Sequence, residues 1–473
     1  MARRRGLASV AMNDSAKTFV VNDIHSRLNE TAVAEIVRVD SIESIQQALT
    51  QARALGKPLA IAGGRHAMGG QQFCAGGVLL DTRGLDRVLA LDGHRCTIEV
   101  EAGMQWPRLL EVLRDASITF AQKQTGADDL SLGGAVSANV HGRGLTMRPF
   151  IADIESLVLV GADGVPVRCS RDEHPELFSL VVGGYGLFGV VYSVELRLVP
   201  RRTLERVVEL ATIEDIVDRF DDRIAAGFLY GDFQFGIDPC SDDFLTRGVF
   251  SCYRPVRDRP IPGQQRALSA NDWRRLLHLA HTDKSRAFEV YAQHYLATSG
   301  QLYRSDAHQL AFYAPDYHAA LGPGSEMITE IYVPRPRLTE FMREAAQRLR
   351  ANGADVVYGT VRLIERDDES FLTWAVEPWA CIVFNLHVDP RTAKRDEQAF
   401  RDLIDLAIAH GGGYYLTYHR WANRAQVEAC HPRLVDFLRL KRRYDPDELF
   451  QSDWYRHYRE LFRSELEPLE DVA

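Results

Sequence analysis

The run Pro58-Leu-Ala-Ile-Ala-Gly-Gly-Arg-His-Ala-Met-Gly-Gly-Gln-Gln72 decides how this chain is to be read. Leu59 to Ala62 read as a short buried strand, after which Gly63-Gly64 and Gly69-Gly70 bracket Arg65 and His66. Glycine reaches positive φ and lets another group approach the main chain. Successive free amides after a strand make a concave anion site. One such run alone is a tight turn. Two further segments change its meaning: Ser131-Leu-Gly-Gly-Ala-Val-Ser-Ala-Asn-Val-His-Gly-Arg-Gly144 and Gly183-Gly-Tyr-Gly-Leu-Phe-Gly-Val190. Joined by apolar strands, the three predict one long ligand carrying a diphosphate.

In this order the segments resemble the FAD-binding domain of the vanillyl-alcohol-oxidase (PCMH-type) superfamily. That fold is shared by berberine-bridge enzymes, aldonolactone oxidases and alditol oxidase. No G-x-G-x-x-G follows a first strand, so the dinucleotide fingerprint of a Rossmann domain does not apply. The resemblance covers about residues 30 to 202 and the tail, where Tyr444-Asp-Pro-Asp-Glu-Leu-Phe450 is similar to the end of many superfamily members. The tail, the segment Tyr415-Leu-Thr-Tyr-His419 and the Ser137-Ala-Asn-Val-His-Gly-Arg143 loop also resemble decaprenylphosphoryl-ribose oxidase.

Composition bounds the rest. With 473 residues the chain is long enough for two or three domains. A hydrophobic content of 46% with 26% charged residues is that of an ordinary soluble globular protein. The net charge of −9 leaves no basic stripe for a nucleic-acid partner. Seven scattered cysteines without a C-x-x-C pair suggest neither a zinc site nor a disulfide framework, and no metal is expected. No apolar run reaches the ~18 residues of a membrane span, and the basic N-terminus has too short an apolar part for a signal peptide. The expectation is a cytoplasmic enzyme, a monomer or homodimer, meeting a small-molecule substrate and an electron acceptor such as O2.

The organisation expected is α+β. A partly ordered arm takes residues 1–29, a two-subdomain PCMH-type FAD-binding domain 30–202, a substrate or cap domain 203–420, and a tail returning to the FAD domain 421–473. Residues 203–320 are hard to read beyond strands at Phe228–Ile237 and Arg247–Tyr253. From 327 onward the periods are clear. Strands Met327–Val333, Val356–Ile364, Ala380–Val388 and Tyr414–Tyr418 alternate with two amphipathic helices in β-α-β-β-α-β order, a split-βαβ antiparallel sheet. By the period of two, Ile331, Val333, Val357, Val361, Leu363, Ile382, Phe384 and Leu386 should face the helices. Glu330, Tyr332, Tyr358, Thr360, Arg362, Asn385 and His387 then share the other face. That face is either solvated or the roof of an active site, and beside a flavin domain the roof is the reading adopted.

The resemblance implies FAD extended along Ala62, Gly63, Gly64, Arg65, His66, Ala67 and Met68, then Thr125, Gly126, Ser131, Gly133, Gly134, Asn139 and His141, then Gly183, Gly189 and Val190. Its diphosphate would lie over the amides of Ala62–Ala67 and Ser131–Gly134. Flavin N5 would accept hydride from a CH–OH carbon while a roof residue takes the hydroxyl proton. In alditol oxidase an arginine on one sheet strand, polar groups on the next and a lysine after the last surround the substrate. Arg362 matches the first, and Asn385 and His387 the second. Tyr418 stands where the lysine would be, with a phenol that an arginine can depress. His419 and His141 complete the candidate catalytic set, His141 near the flavin edge or else stabilising its turn. Gly-Gly-Arg-His66-Ala matches the arrangement in which a histidine carries flavin through the 8α-methyl group, the alternative being a hydrogen-bonding histidine under noncovalent flavin. The function implied is FAD-dependent oxidation of a sugar-like, polyol or other polar alcohol. A berberine-bridge-type oxidase of an aromatic or alkaloid substrate is a rival, although Thr125 to Gly144 lack the cysteine of its second flavin bond. A silent flavin-binding protein is another.

Overall fold

The computed structural model describes residues 18–310 and 324–467. Of the arm expected over 1–29, residues 1–17 lie outside the described residues. The remainder is built rather than loose: Phe19–Val21 pairs antiparallel with Thr31–Val33, and a turn capped by Asp23 joins them.

The first glycine run hangs from a three-stranded parallel sheet. Val78–Asp81 lies between Glu35–Arg38 and Leu59–Ala62. The helix Ile42–Ala54 begins at a Ser41 capping box and buries Ile45, Ala48, Leu49 and Ala52. An antiparallel second sheet orders Pro166–Ser170, Ile154–Val160, Val190–Pro200, Thr97–Glu101 and Val88–Asp92, with Ile118–Phe120 pairing the end of Val190–Pro200. The tail closes on the first sheet. Leu59 N–H donates to Leu449 O at 2.7 Å, and Gln451 N–H to Leu59 O at 3.0 Å. Leu449 and Phe450 join the core of Val39, Ile45 and Leu49.

An antiparallel eight-stranded sheet forms the other half, in the order Leu302–Arg304, Thr203–Thr212, Arg247–Val256, Tyr230–Phe235, Asp355–Ile364, Trp379–Val388, Ser325–Pro334, Gly413–Tyr414. Thr203–Thr212 escaped the sequence reading because Arg206 interrupts its apolar alternation. The side chain is buried all the same, over the rings of Tyr253 and Tyr295, with Nε donating to Ser251 Oγ. The helices Leu338–Asn352 and Ala393–Ala409 share one core with Ile331, Val333, Val361, Leu363, Ile382, Phe384 and Leu386. Val357 is a correction. A bulge between Val356 and Tyr358 makes it the extra residue, and Val356, opposite Leu386, enters that core instead. The expected strand Tyr414–Tyr418 is also shorter. Only Gly413 and Tyr414 pair as a strand, with Tyr415 N–H still donating to Glu330 O at 3.1 Å; beyond it side chains take the carbonyls, Trp454 Nε1 donating to Leu416 O and Gln71 Nε2 to Thr417 O. The chain therefore leaves the sheet after Tyr415. No helix among the described residues is long and apolar enough to cross a membrane.

The tail is locked by a buried ion pair. Asp445 accepts from Lys441 Nζ and from the amides of Leu449 at 2.9 Å and Phe450 at 2.8 Å. Asp445→Ala leaves a fully buried ammonium unpaired. It should cost about 3–5 kcal/mol, read as a lowered midpoint in chemical denaturation. A change below about 1 kcal/mol would show that the tail is held by its apolar contacts alone.

Candidate active site

Two loops cross where the strand Leu59–Ala62 ends. A Cβ on Gly63 would lie 2.1 Å from Ser131 Oγ, and one on Gly64 2.2 Å from Asp129 O, so only glycine allows the approach. Arg65 turns the chain at φ 61°, and the amides of Gly63, Gly64, Arg65 and His66 donate to no acceptor among the described residues. Four successive unmatched amides fit a phosphate-bearing group. The second loop differs. Its amides at Leu132, Gly133 and Gly134 are consumed by Met104 O, Ala102 O and Ser131 Oγ. The expected diphosphate seat over Ser131–Gly134 is thereby corrected, and the free amides lie in the first loop.

Above the crossing opens a cleft of about 1380 Å³, mouth included, lined by both loops and by Tyr185, Gly186, Gly189 and Val191. Among the sequence candidates Gly63, Gly64, Arg65, His66, Ala67, Met68, Thr125, Gly126, Ser131, Gly133, Gly134, His141 and Gly189 line it. Ala62, Asn139, Gly183 and Val190 do not. Ala62 is buried in the strand with Phe73 and Leu79. Asn139 closes the helix Leu132–Ala138 in the left-handed region, its Nδ2 donating to Asp367 Oδ2 at 2.9 Å. Gly183 turns at φ 80° against the Asn139 Cβ, and Val190 points into the tail-side core.

His66 lies deep in the cleft wall. Burial, with His25 beside it, pushes its pKa down to about 3, the Asp129 carbonyl acting in the opposite sense, so the ring is neutral. Nδ1 sits 2.8 Å from His25 Nε2, while Nε2 makes no hydrogen bond among the described residues.

The polar face of the eight-stranded sheet supplies the opposite wall. Ile328, Glu330 and Arg362 line the cleft from two strands, and Tyr415, Thr417 and Tyr418 from the segment that leaves the sheet. Glu330 is the hub. Oε1 accepts from Tyr418 Oη at 2.7 Å, and Oε2 meets Tyr332 Oη at 3.1 Å and His141 Nε2 at 2.8 Å. His141 Nδ1 lies 3.0 Å from Gly142 O. Burial alone would raise the Glu330 pKa, but His141, Tyr418 and Arg362 outweigh it and hold the carboxyl down to about 2. Tyr418 moves the other way. Burial and the Glu330 carboxylate push its phenol well above the usual range, with Arg362 only a lesser opposing influence. The expected depressed phenol is therefore corrected: Tyr418 stays protonated and donates.

Arg362 is buried, yet makes no hydrogen bond or ion pair among the described residues, and its Nε has no partner. Burial works against its charge, but Tyr358, Cys381, Glu330 and Asp232 outweigh that and raise its pKa. Asn385, His387 and His419 stand apart from the cleft. Asn385 Nδ2 donates to Glu326 Oε2 at 2.6 Å, and the His387 ring meets His281 edge-on. His419 lies on the helix side, 3.2 Å from Thr329 Oγ1 and stacked on Trp421, because Thr329 points away from the face that carries Glu330. Sequence reading placed Glu330 on the polar face without choosing it, and it missed His25, which sits in a segment without periodicity.

Residues 33–170 match a family model described as an FAD binding domain. The chain is 25% identical over 425 residues to L-gulono-1,4-lactone dehydrogenase of Mycobacterium tuberculosis, covering 90% of this chain and 96% of that protein. It is 23% identical over 446 residues to decaprenylphosphoryl-beta-D-ribose oxidase of Mycolicibacterium smegmatis, covering 90% and 94%. A shorter match, 28% over 185 residues, links it to D-arabinono-1,4-lactone oxidase of Yarrowia lipolytica, over 38% of this chain and 35% of that protein. These matches make the chain similar to the FAD-linked oxidoreductases of the vanillyl-alcohol-oxidase superfamily. It is an FAD-dependent oxidoreductase.

The buried histidines set an acid dependence. Burial holds His419 and His431 at about 3, against about 6.5 for an exposed imidazole. Between those values the unfolded chain binds more protons, so stability rises with pH. Glu330 acts in the same direction lower down, its stabilisation present above about 4.3 and lost towards about 2. Urea midpoints should therefore climb from about pH 4 to about pH 6.5. A flat profile there would contradict the burial of these rings.

Proposed function

We propose that this protein oxidises a CH–OH group of a sugar-like, polyol or other polar substrate, with electrons passed on to dioxygen or another acceptor. The observation that carries this reading is the unmatched Arg362 guanidinium beside the Tyr418–Glu330–His141 chain, facing the free amides of the first loop across one cleft. FAD, when bound, would supply the hydride acceptor. Gly63 to His66 would hold its diphosphate, and His66 would carry the flavin covalently.

On the opposite wall Arg362 binds the substrate oxygen and stabilises the negative charge that grows there as the carbon gives up hydride. Tyr418 Oη accepts the substrate hydroxyl proton while its own proton is drawn along the 2.7 Å bond to Glu330. His141 and Tyr332 keep the carboxylate aimed at Tyr418. The lactone and ribose substrates for which the relatives are named support a sugar-like substrate. In domain terms, residues 30–202 form a two-subdomain PCMH-type FAD-binding domain, 203–420 a substrate cap built on the split-βαβ sheet, and 421–473 a tail that covers the cofactor.

The test is anaerobic. Purified protein should be yellow and should bleach with one class among aldonolactones, aldoses and polyols. Arg362→Ala should keep its FAD yet reduce it about 10²-fold more slowly or worse, and Glu330→Gln should do likewise. Bleaching at an unaltered rate in Arg362→Ala would remove this face from the chemistry. Yellow protein that no alcohol bleaches would make it a flavin binder without this activity.

A further inference from the structure

Residues 141, 330 and 381 are remote in the sequence, so no ligand spacing announces what the fold brings together. His141 Nε2, Glu330 Oε2 and Cys381 Sγ all lie within 4.8 Å of one another. Cys381 sits on the strand Trp379–Val388, opposite Tyr332 on one side and Arg362 on the other, so its thiol shares their polar face. Its Sγ is 3.8 Å from Glu330 Oε2 and 3.8 Å from His141 Nε2, and those two atoms are 2.8 Å apart. The proposed oxidation uses the imidazole and the carboxylate and gives the buried thiol no part.

The triangle has nearly the dimensions of three corners of a tetrahedral zinc site. Bonds of about 2.3 Å to sulfur and about 2.0–2.1 Å to nitrogen and oxygen set the sulfur edges at roughly 3.6 Å and the remaining edge at roughly 3.3 Å. The two sulfur edges therefore need to shorten only slightly, and the Nε2–Oε2 edge to open from 2.8 Å. Contacts that would orient such ligands are already in place. His141 Nδ1 donates to Gly142 O at 3.0 Å, which aims Nε2 inward, and the ring lies 5.3 Å from that of Trp374. Tyr418 Oη holds the other carboxylate oxygen at 2.7 Å. His141 and Glu330 line the cleft, which supplies an entry path and leaves the fourth position to water.

The charge balances as well. With Nδ1 protonated, the 2.8 Å contact between Nε2 and an ionised carboxylate needs a second proton between them. That proton and the thiol proton pass to water as a dication enters, so the net charge of the site is unchanged. A thiolate ligand selects zinc over Mg2+ or Ca2+. We propose that His141, Glu330 and Cys381 form an inhibitory site for Zn2+. Once Glu330 is a metal ligand it no longer draws the proton of Tyr418, and oxidation stops. The site rests on geometry alone, whereas the inhibition rests on the proposed proton route through Tyr418 and Glu330.

The experiment separates the two. Holoprotein freed of metals with a chelator is titrated with Co2+ as a spectroscopic stand-in for Zn2+. One equivalent should bind and give the ligand-field bands of a tetrahedral thiolate complex, at longer wavelength than oxidised flavin absorbs. Zn2+ should displace it, and Mg2+ and Ca2+ should not. Cys381→Ala and the nearly isosteric Cys381→Ser should lose those bands with the flavin spectrum unchanged, and Cys381→Ala should bind Zn2+ about 10²-fold more weakly or worse by calorimetry. In anaerobic bleaching, one equivalent of Zn2+ should slow the unaltered protein about 10²-fold. A chelator should restore it, and Cys381→Ala, which keeps Tyr418, Glu330 and His141, should bleach at its metal-free rate in the same Zn2+. A cobalt spectrum without thiolate bands, or equal Zn2+ affinity in Cys381→Ala, overturns the site. Tight binding that leaves bleaching unaltered overturns the inhibition. If no alcohol bleaches the flavin at all, the activity reading falls and the inhibition with it, while the cobalt spectrum still decides the site.

Discussion

The approach of two backbones at Gly63 and Gly64 is the constraint on which the site depends. Ser131 Oγ and Asp129 O occupy the space that a side chain would need there. Because the loops touch, the second loop spends its own amides on Met104 O, Ala102 O and Ser131 Oγ, and the first keeps four unmatched. The same contact holds His66 in the wall of the cleft that Thr125–Ala127 also lines. A larger residue at either glycine would push the loops apart and open the floor of the cleft.

Charge on the facing wall is distributed unevenly, and that unevenness is the chemical content of the site. Glu330 is fully matched by a phenol pair and an imidazole, so it stays ionised despite burial. Arg362 is buried with nothing to donate to among the described residues. An isolated buried cation is expensive and is retained where a ligand completes it. A substrate oxygen that gains negative charge during the proposed oxidation would meet that need.

Both ends of the described chain converge on the strand Leu59–Ala62 and its loop. The Asp23 turn reaches Arg65 O and Met68 O, and the tail reaches both backbone groups of Leu59. Gln71 holds Thr417 O, which ties the loop to the segment carrying Tyr418. The glycine loop is thus buttressed on three sides by parts of the chain remote in sequence. A loop rich in glycine would otherwise carry a large conformational entropy.

The sequence by itself determined what local chemistry can encode. Glycine placement gave the cofactor loops, and 3.6- and 2-residue periods gave the strand Leu59–Ala62 and most of the helices and strands from Met327 onward, with Glu330 and Arg362 on one polar face. What it left open depends on groups distant along the chain. The bulge that substitutes Val356 for Val357 is a matter of register with Leu386. Thr203–Thr212 was hidden because Arg206 is buried only where Tyr253 and Tyr295 come to cover it. Whether Tyr418 would be a depressed phenol or a firm donor turned on Glu330, 88 positions away, outweighing Arg362. His419 is buried and His66 partly so, yet one faces helices and the other a cleft. A side chain's residue type fixes what it can do; the dielectric and the partners around it, which only the tertiary structure supplies, decide what it does.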